Sequence, residues 1–358
     1  MEIKYFTPPE FIKHPFRFND LLEELGYWQY ASKGRWCLYH ILKSLCIKGP
    51  VLVPIYCCES ILQPIEELGL KWFCYDINSS DLNPNVESVE ASIEKYGADC
   101  VVAVSMYGNP AELDRIETIC NRKGVKMIDD AAQSFGSTLN GKRVGYFGNA
   151  GFFSFSPGKP LAGHLGGAFR TDNDTYKIRY KKHSFTHWVI YKDFEYNRYY
   201  NHFRNNLKGK LYGLGCKVVS KLVTIREDIY SHFEEGILYG IYKDSLYIHN
   251  PYRTEYAKRM ANTVHSSYFN ILKVYDDTYR KGIAHKYILI CNTKEIAIRM
   301  NDYLHKHQVF SQFGYQLLTD CSEYVRAKQV EGCVVEIPLN AREQEFEYLH
   351  KLLNNFRT

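Results

Sequence analysis

The stretch KMIDDAAQSFG, residues 126–136, decides the fold. An apolar run, Val125, Met127 and Ile128, ends there in two adjacent aspartates followed by two alanines. A strand interior has no use for a carboxylate, because an unpaired buried charge is costly and usually neutralises instead. One such acid can serve a turn or a helix cap. Two at the end of a buried strand predict that one of them has a cationic partner.

Working outward, the flanking chain alternates short apolar runs with longer amphipathic ones. PVLVPIY, LKWFCYDIN, DCVVAVSMYG and VKMIDD read as strands, and ESILQPIEELG and VESVEASIEKYG as helices. PAELDRIETICNRKG reads as a helix that opens on Pro110 and stops at Gly124. This alternation, with Gly and Pro at the joints, predicts an α/β fold with a mainly parallel sheet covered by helices. Such strands are buried on both faces and look continuously apolar. Ligands of open parallel sheets sit beyond the carboxyl ends of the strands, so Asp129 and Asp130 are site candidates.

After about residue 235 the texture changes. RTEYAKRMANTVHSSYFNILKVYDD reads as one long helix, HKYILICN and CVVEIPLN as strands, and TKEIAIRMNDYLHKHQV and EQEFEYLHKLLNNF as helices. The expected organisation is an N-terminal arm (1–24), a large domain (25–235) and a smaller C-terminal α+β domain (236–358). At 358 residues, two domains are the default.

No apolar run approaches the roughly 20 residues that span a bilayer. The start, MEIKYFTPPEFIKHPF, has no signal-peptide core, so a cytoplasmic protein is expected. The eleven cysteines form no CxxC pair and no Cys/His cluster at zinc spacing, which predicts reduced thiols and no metal. The net charge of +5 is uneven: Lys177–Arg226 holds twelve Lys/Arg against Asp193 and Glu195, interleaved with aromatics. That segment suits phosphates or a subunit face; without a recognisable nucleic-acid motif, no nucleic-acid partner is expected.

Downstream of the aspartates comes NAGFFSFSPGKPLAGHLGGAFRT, with a single lysine, Lys159, five residues after Ser154. Its neighbours are apolar on one side and glycine-rich on the other, a setting that desolvates an amine and makes it a Schiff-base former. Neither GxxxxGK[ST] nor GxGxxG after a strand is present, which argues against P-loop and dinucleotide sites. A strand-end acid, a lysine about thirty residues later and a small-polar phosphate site together suit pyridoxal phosphate, whose ring nitrogen needs an acid and whose aldehyde needs an amine.

These motifs resemble the DegT-like family of pyridoxal-phosphate-dependent nucleotide-sugar aminotransferases, fold type I, of which this chain is a divergent relative. The resemblance covers roughly residues 25–350. The family's acid-Asp-Ala-Ala-Gln run matches Asp129–Gln133, and its Ser-Phe-x-x-x-Lys run matches Ser154–Lys159. Its aromatic-Gly-x-Pro-x-acid run matches Tyr107–Glu112, and EIPLN resembles its closing Leu-Pro-Leu strand.

The resemblance implies Asp130 at the pyridine nitrogen, Gln133 at the cofactor face and phenolic oxygen, Ser154 at the phosphate and Lys159 as the Schiff-base lysine. It makes Asp129 a structural turn acid. Where the family has Ser-Gly-Thr this chain has Ser32-Lys33-Gly34-Arg35, leaving the Gly34 amide and the Arg35 guanidinium for the phosphate. Cys57 and Cys58 stand where the family has Thr and a ring-stacking aromatic, so stacking falls to Cys58 or the neighbouring Tyr56. His164-Leu165-Gly166-Gly167 replaces Gly-Glu-Gly-Gly, and the family's Asn-Tyr-Arg-Met region is not recognisable.

Implied too are an amino-acid donor, glutamate in the family, a nucleotide-linked keto-sugar acceptor, a homodimer with shared active sites, and a place in surface-polysaccharide or amino-sugar synthesis. Two alternatives stay open: a sugar dehydratase, which in the family carries His at the lysine position, and a catalytically silent binding or regulatory homologue.

Overall fold

The computed structural model describes residues 1, 3, 28–31, 33–156, 158–161, 166–178, 252–319, 322–340 and 342–357. The expected domain boundary near 235, nearly all of the 1–24 arm, His164-Leu165, and the basic segment beyond Ile178 lie outside these residues.

The first sheet is built from β1 (Gln29–Ala31), β2 (Val51–Pro54), β3 (Trp72–Tyr75), β4 (Cys100–Val104) and β5 (Lys126–Asp130). Two short strands, β6 (Thr138–Leu139) and β7 (Lys142–Arg143), precede its last members, β8 (Ala150–Ser154) and β9 (Gly167–Thr171). Seven strands run in the order β1-β9-β8-β5-β4-β2-β3. The five from β8 to β3 are mutually parallel, and β9 alone runs the other way, pairing antiparallel with both β8 and β1. Helices α1 (Gly34–Ser44), α2 (Leu62–Glu67), α3 (Val86–Tyr96) and α4 (Leu113–Lys123) connect and cover them. Every residue of β2, β4 and β8 is buried, as continuous apolar runs require.

Local chemistry sets the joints. Asn85 caps α3 by accepting the Ser88 amide, and Gly97 and Gly124 close α3 and α4 in the left-handed conformation that glycine favours. The fourth helix starts at Leu113 rather than at Pro110, because Met106–Gly108 forms a separate helical turn first.

The second unit begins with α5 (Tyr252–Thr263) and β10 (Phe269–Ile271). The single long helix expected over 253–277 is therefore two elements. Phe269 pairs with Cys291, and Ile271 with Leu289, so an edge strand forms where helical periodicity alone suggested continuation. Next come β11 (Arg280–Lys281), which pairs with β6, then β12 (Lys286–Cys291), α6 (Lys294–Lys306), β13 (Gln312–Phe313), α7 (Val325–Val330), β14 (Val334–Pro338) and α8 (Glu343–Asn355). The small sheet has the order β10-β12-β14-β13 and is wholly antiparallel.

Alternation along β12 and β14 decides how the two units meet. Tyr287, Leu289, Val335 and Ile337 face the small unit's own core, together with Met300, Leu304 and Leu353. Ile288 and Val334 face the other way, into the core of the large sheet. A strand places successive side chains on opposite faces, so this one sheet serves two cores.

Asp129 and Asp130 are split by the same rule. The Asp129 Oδ2 accepts the Gly145 amide at 2.6 Å and the Phe147 amide at 3.1 Å, pinning the turn before β8. Burial pushes its carboxyl up to about 7, against those two amides, and its Oδ1 has no partner among the described residues. It is a structural acid that tolerates a proton. Asp129→Ala strands two buried amides and should lower unfolding free energy by about 2–4 kcal/mol in urea titrations. Asp129→Asn, which keeps an accepting oxygen, should cost far less.

Candidate active site

The carboxyl ends of β2, β4, β5 and β8 converge on one cavity of about 260 Å³. Its lining includes all seven residues singled out in the sequence: Gly34, Arg35, Cys58, Asp130, Gln133, Ser154 and Lys159. Residues separated by up to 125 positions are thus brought to one wall-to-wall site, at the place that parallel sheets reserve for ligands.

Each arrives by a distinct route. Asp130 ends β5 and accepts the Ala132 amide at 2.9 Å. The turn that follows carries Gln133, only 4% exposed, whose amide nitrogen reaches the Met106 sulfur at 3.6 Å. Ser154 ends β8, buried, with its hydroxyl 3.3 Å from that of Ser156. Gly34 opens α1 directly against β8. A Cβ at position 34 would lie 2.8 Å from the Ser154 Cβ, so glycine is needed for the helix to start there. The helix has no side-chain cap, which leaves its first amides and its dipole to serve the cavity.

The electrostatics follow from burial. The Asp130 carboxyl is pushed up to about 6 by loss of water, while the Ala132 amide and the Lys159 charge pull it down. The Lys159 amine is pushed below its ordinary value, mainly by burial and further by the Lys286 charge. Cys58, Asp130 and Glu336 oppose that shift. The cavity thus disfavours both charges, and each partly restores the other. The Lys159 charge thus favours the ionised form of Asp130 across the cavity, while the cationic partner that the resemblance implies for this acid is the cofactor's ring nitrogen.

Cys58 lines the cavity as the sequence suggested, whereas Tyr56 and Arg35 are engaged elsewhere. Tyr56 cannot stack on anything in the cavity: it is fully buried, and its hydroxyl lies 3.0 Å from that of Tyr107 and accepts the Tyr315 amide at 3.2 Å. Cys58 remains at the cavity as an exposed thiol 3.1 Å from the Ser60 hydroxyl, unlike the seven buried cysteines among the nine described. Arg35, half-buried, donates to the Gln63 side chain at 2.7 Å while lining the cavity. Lys33, Ser60 and Ser156 also line the cavity and were not anticipated. For Lys33 and Ser156 the signal was adjacency, since each stands one or two residues from a motif position.

These residues fit pyridoxal phosphate on three counts. The Gln133 Oε1 is buried and has no partner among the described residues, so a ligand donor would satisfy it. The helix start at Gly34, flanked by Lys33, Arg35 and Ser154, is suited to a phosphate dianion. Asp130 and Lys159 supply the acid and the amine that the group requires.

Comparison with known proteins agrees. The DegT/DnrJ/EryC1/StrS aminotransferase family matches residues 36–213. GDP-perosamine synthase from Vibrio cholerae is 29% identical over 146 residues, 40% of this chain and 40% of that protein. UDP-2-acetamido-2-deoxy-3-oxo-D-glucuronate aminotransferase from Pseudomonas aeruginosa is 34% identical over 125 residues, 35% of this chain and 34% of that protein. The matched segments thus span two fifths or less of these relatives. The crystal structure of a DegT DnrJ EryC1 StrS aminotransferase from Brucella abortus shares the fold, with a TM-score of 0.65 at 18% identity over 94% of this chain and 88% of that one. With the motifs in order and the site assembled, the chain belongs to the DegT/DnrJ/EryC1/StrS aminotransferase family, as a divergent member with the fold type I architecture.

Proposed function

We propose that this protein is a pyridoxal-phosphate-dependent aminotransferase that moves an amino group from an amino acid, glutamate by family analogy, to a nucleotide-linked keto-sugar. The observation that carries this reading is a desolvated amine, Lys159, sharing one cavity with a buried carboxylate, Asp130. The names of the two curated relatives, both acting in nucleotide-sugar chemistry, support the acceptor class. A homodimer and a role in amino-sugar or surface-polysaccharide synthesis belong to the same proposal.

When bound, pyridoxal phosphate supplies an aldehyde that condenses with amines and a protonated ring that withdraws electrons. The chain supplies everything else. Burial keeps a larger fraction of Lys159 uncharged than an exposed lysine would have, which makes Nζ nucleophilic and basic. With the cofactor held, the same Nζ would be placed to remove the proton from the donor's α-carbon, and the ammonium so formed would be the acid that delivers a proton to a different carbon. Asp130 offers a negative charge to the ring nitrogen and favours its protonated form by opposite-charge attraction. The Ala132 amide holds that carboxylate in place. The α1 start, Arg35 and Ser154 anchor the phosphate, and Gln133 Oε1 accepts from the cofactor or from a substrate group.

A retained lysine at 159 weighs against the dehydratase alternative. The silent-homologue alternative is decided by one experiment. Incubation with pyridoxal phosphate, borohydride reduction and peptide mapping should label Lys159; an unlabelled Lys159 sinks the catalytic reading.

Asp130→Asn should retain part of the cofactor affinity and lose at least about two orders of magnitude in transamination rate, a loss within the range for one misplaced charge in a preorganised site. The apoprotein supplies a second check with a definite sign. Because burial raises the Asp130 carboxyl from about 4 to about 6, its ionisation opposes folding, and this stability penalty grows as pH rises through that window. Apo Asp130→Asn should therefore be more stable than the parent at pH 7, by about 2–3 kcal/mol, and the gap should close near pH 4. Urea titrations across pH 4–7 measure it.

A further inference from the structure

A second cavity, of about 520 Å³, shares no lining residue with the site just described. Strand direction places it. β9 runs antiparallel to β8, with Gly167 opposite Ser154 and Thr171 opposite Ala150. The carboxyl end of β9 therefore sits at the amino end of β8, about 13 Å along the sheet from Ser154 at the usual rise per residue. Arg170 and Thr171 of β9 line the cavity, with Trp28 and Gln29 from the start of β1, Tyr146 from the turn before β8, and Lys177. Lys177 is the first cation of the basic run Lys177–Arg226.

Arg170 is the group that needs a partner. Its Nε donates to the Gly145 carbonyl at 2.9 Å, and Nη2 to the Phe147 carbonyl at 2.6 Å and the Gly148 carbonyl at 3.1 Å. These bonds clamp the turn whose amides Asp129 already takes, and the clamp is complete without the rest of the fork. Among the described residues nothing accepts from Nη1, and no carboxylate forms an ion pair with the guanidinium. Burial holds the group below its ordinary value, with Asp129 the main opposing charge. A largely buried guanidinium ordinarily carries a carboxylate or phosphate on its fork.

The neighbouring amides and hydroxyls are already engaged. Gln29 donates to the Tyr176 carbonyl and accepts the Ile178 amide, both at 2.8 Å. Asn173 donates to the Ser44 carbonyl at 2.8 Å, and the Thr171 hydroxyl lies 2.8 Å from that of Ser44. What stays open is Arg170 Nη1, the exposed Lys177 ammonium and one exposed acid, Asp174. The apolar wall is fixed as well. Trp28 stacks on Phe153 at 4.7 Å and meets Tyr146 at 5.3 Å, and the Arg170 guanidinium lies 5.9 Å from the Tyr146 ring centre.

We propose that this cavity is a second ligand site for a small organic phosphate, its oxygens on Arg170 Nη1 and Lys177 and its apolar part against Trp28 and Tyr146. Two cations favour a dianion over a singly charged carboxylate, and Asp174 limits the affinity. The volume of about 520 Å³ falls within the range of small-molecule sites, about 300–1,000 Å³.

Lys177 itself reads the test. The full-length protein is trace-acetylated with acetic anhydride at constant ionic strength. Acetylation of Lys177 is followed by mass spectrometry against that of Lys71, an exposed lysine beside β3 at the opposite edge of the sheet. Phenyl phosphate should protect Lys177 at least about threefold relative to Lys71, at concentrations about tenfold below those inorganic phosphate requires, since only the former can use the ring wall. Arg170→Gln, which can still donate to a turn carbonyl but carries no charge, should lose the protection. Equal protection by the two anions means an adventitious ion only and overturns the proposal. So does an unprotected Lys177, or protection that survives in Arg170→Gln. Should Arg170→Gln fail to fold, the comparison of the two anions on the parent decides alone. The readout is local to Lys177, so anion binding near Gly34 does not enter it, and failure of the aminotransferase reading leaves it unchanged.

Discussion

Water exclusion at the carboxyl edge of a parallel sheet is the constraint on which this molecule turns. A lysine and an aspartate placed there each lose hydration, and each becomes easier to neutralise. In solvent the two side chains would be fully charged and chemically idle. In the cavity the amine moves toward its nucleophilic form, while the carboxyl keeps a cationic neighbour that supports its charge. Chemistry at the site depends on that balance more than on any single hydrogen bond.

The fold maintains the balance through close backbone approach. Gly34 lets α1 start against the end of β8, so helix amides, rather than a side chain, form that wall of the cavity. Asp129, one residue from the reactive acid and on the opposite face, ties down the turn that leads into β8. Two adjacent carboxylates therefore do unrelated work because a strand alternates its faces. The departures from the family pattern cluster at the phosphate and stacking positions, with cations at 33 and 35 and a thiol at 58. The amine, the acid and Gln133 are retained. On the proposed reading, the electronic part of the site is kept, and the part that would hold the cofactor's periphery carries charge in place of hydroxyls.

The small sheet contributes more than a cover. Its β12–β14 ladder has two largely hydrophobic faces, and the Glu336–Lys286 pair is a polar exception on the face turned to the large unit. A buried carboxylate with three donors, Lys286, Gln312 and Tyr107, fixes orientation where apolar contact alone would allow sliding. Through Tyr107 and Tyr56, that geometry links the wall carrying Cys57 and Cys58 to strands more than two hundred residues away.

What the sequence determined by itself was local. Continuous apolar runs gave the buried parallel strands, glycines gave the helix ends, and DDAAQ with SFSPGK gave the acid and amine, because these depend on residue type and short spacing. Where local periodicity competed with strand pairing it misled: 253–277 reads as one helix, but Phe269–Ile271 gains a sheet partner in β12 and leaves it. Only the tertiary structure decided that Tyr56 is withdrawn from the cavity, that Arg35 meets Gln63, and that Glu336 faces inward with Tyr107 and Lys286. Those outcomes depend on which face of a strand meets which core, a register set by packing across hundreds of residues and invisible in any one segment.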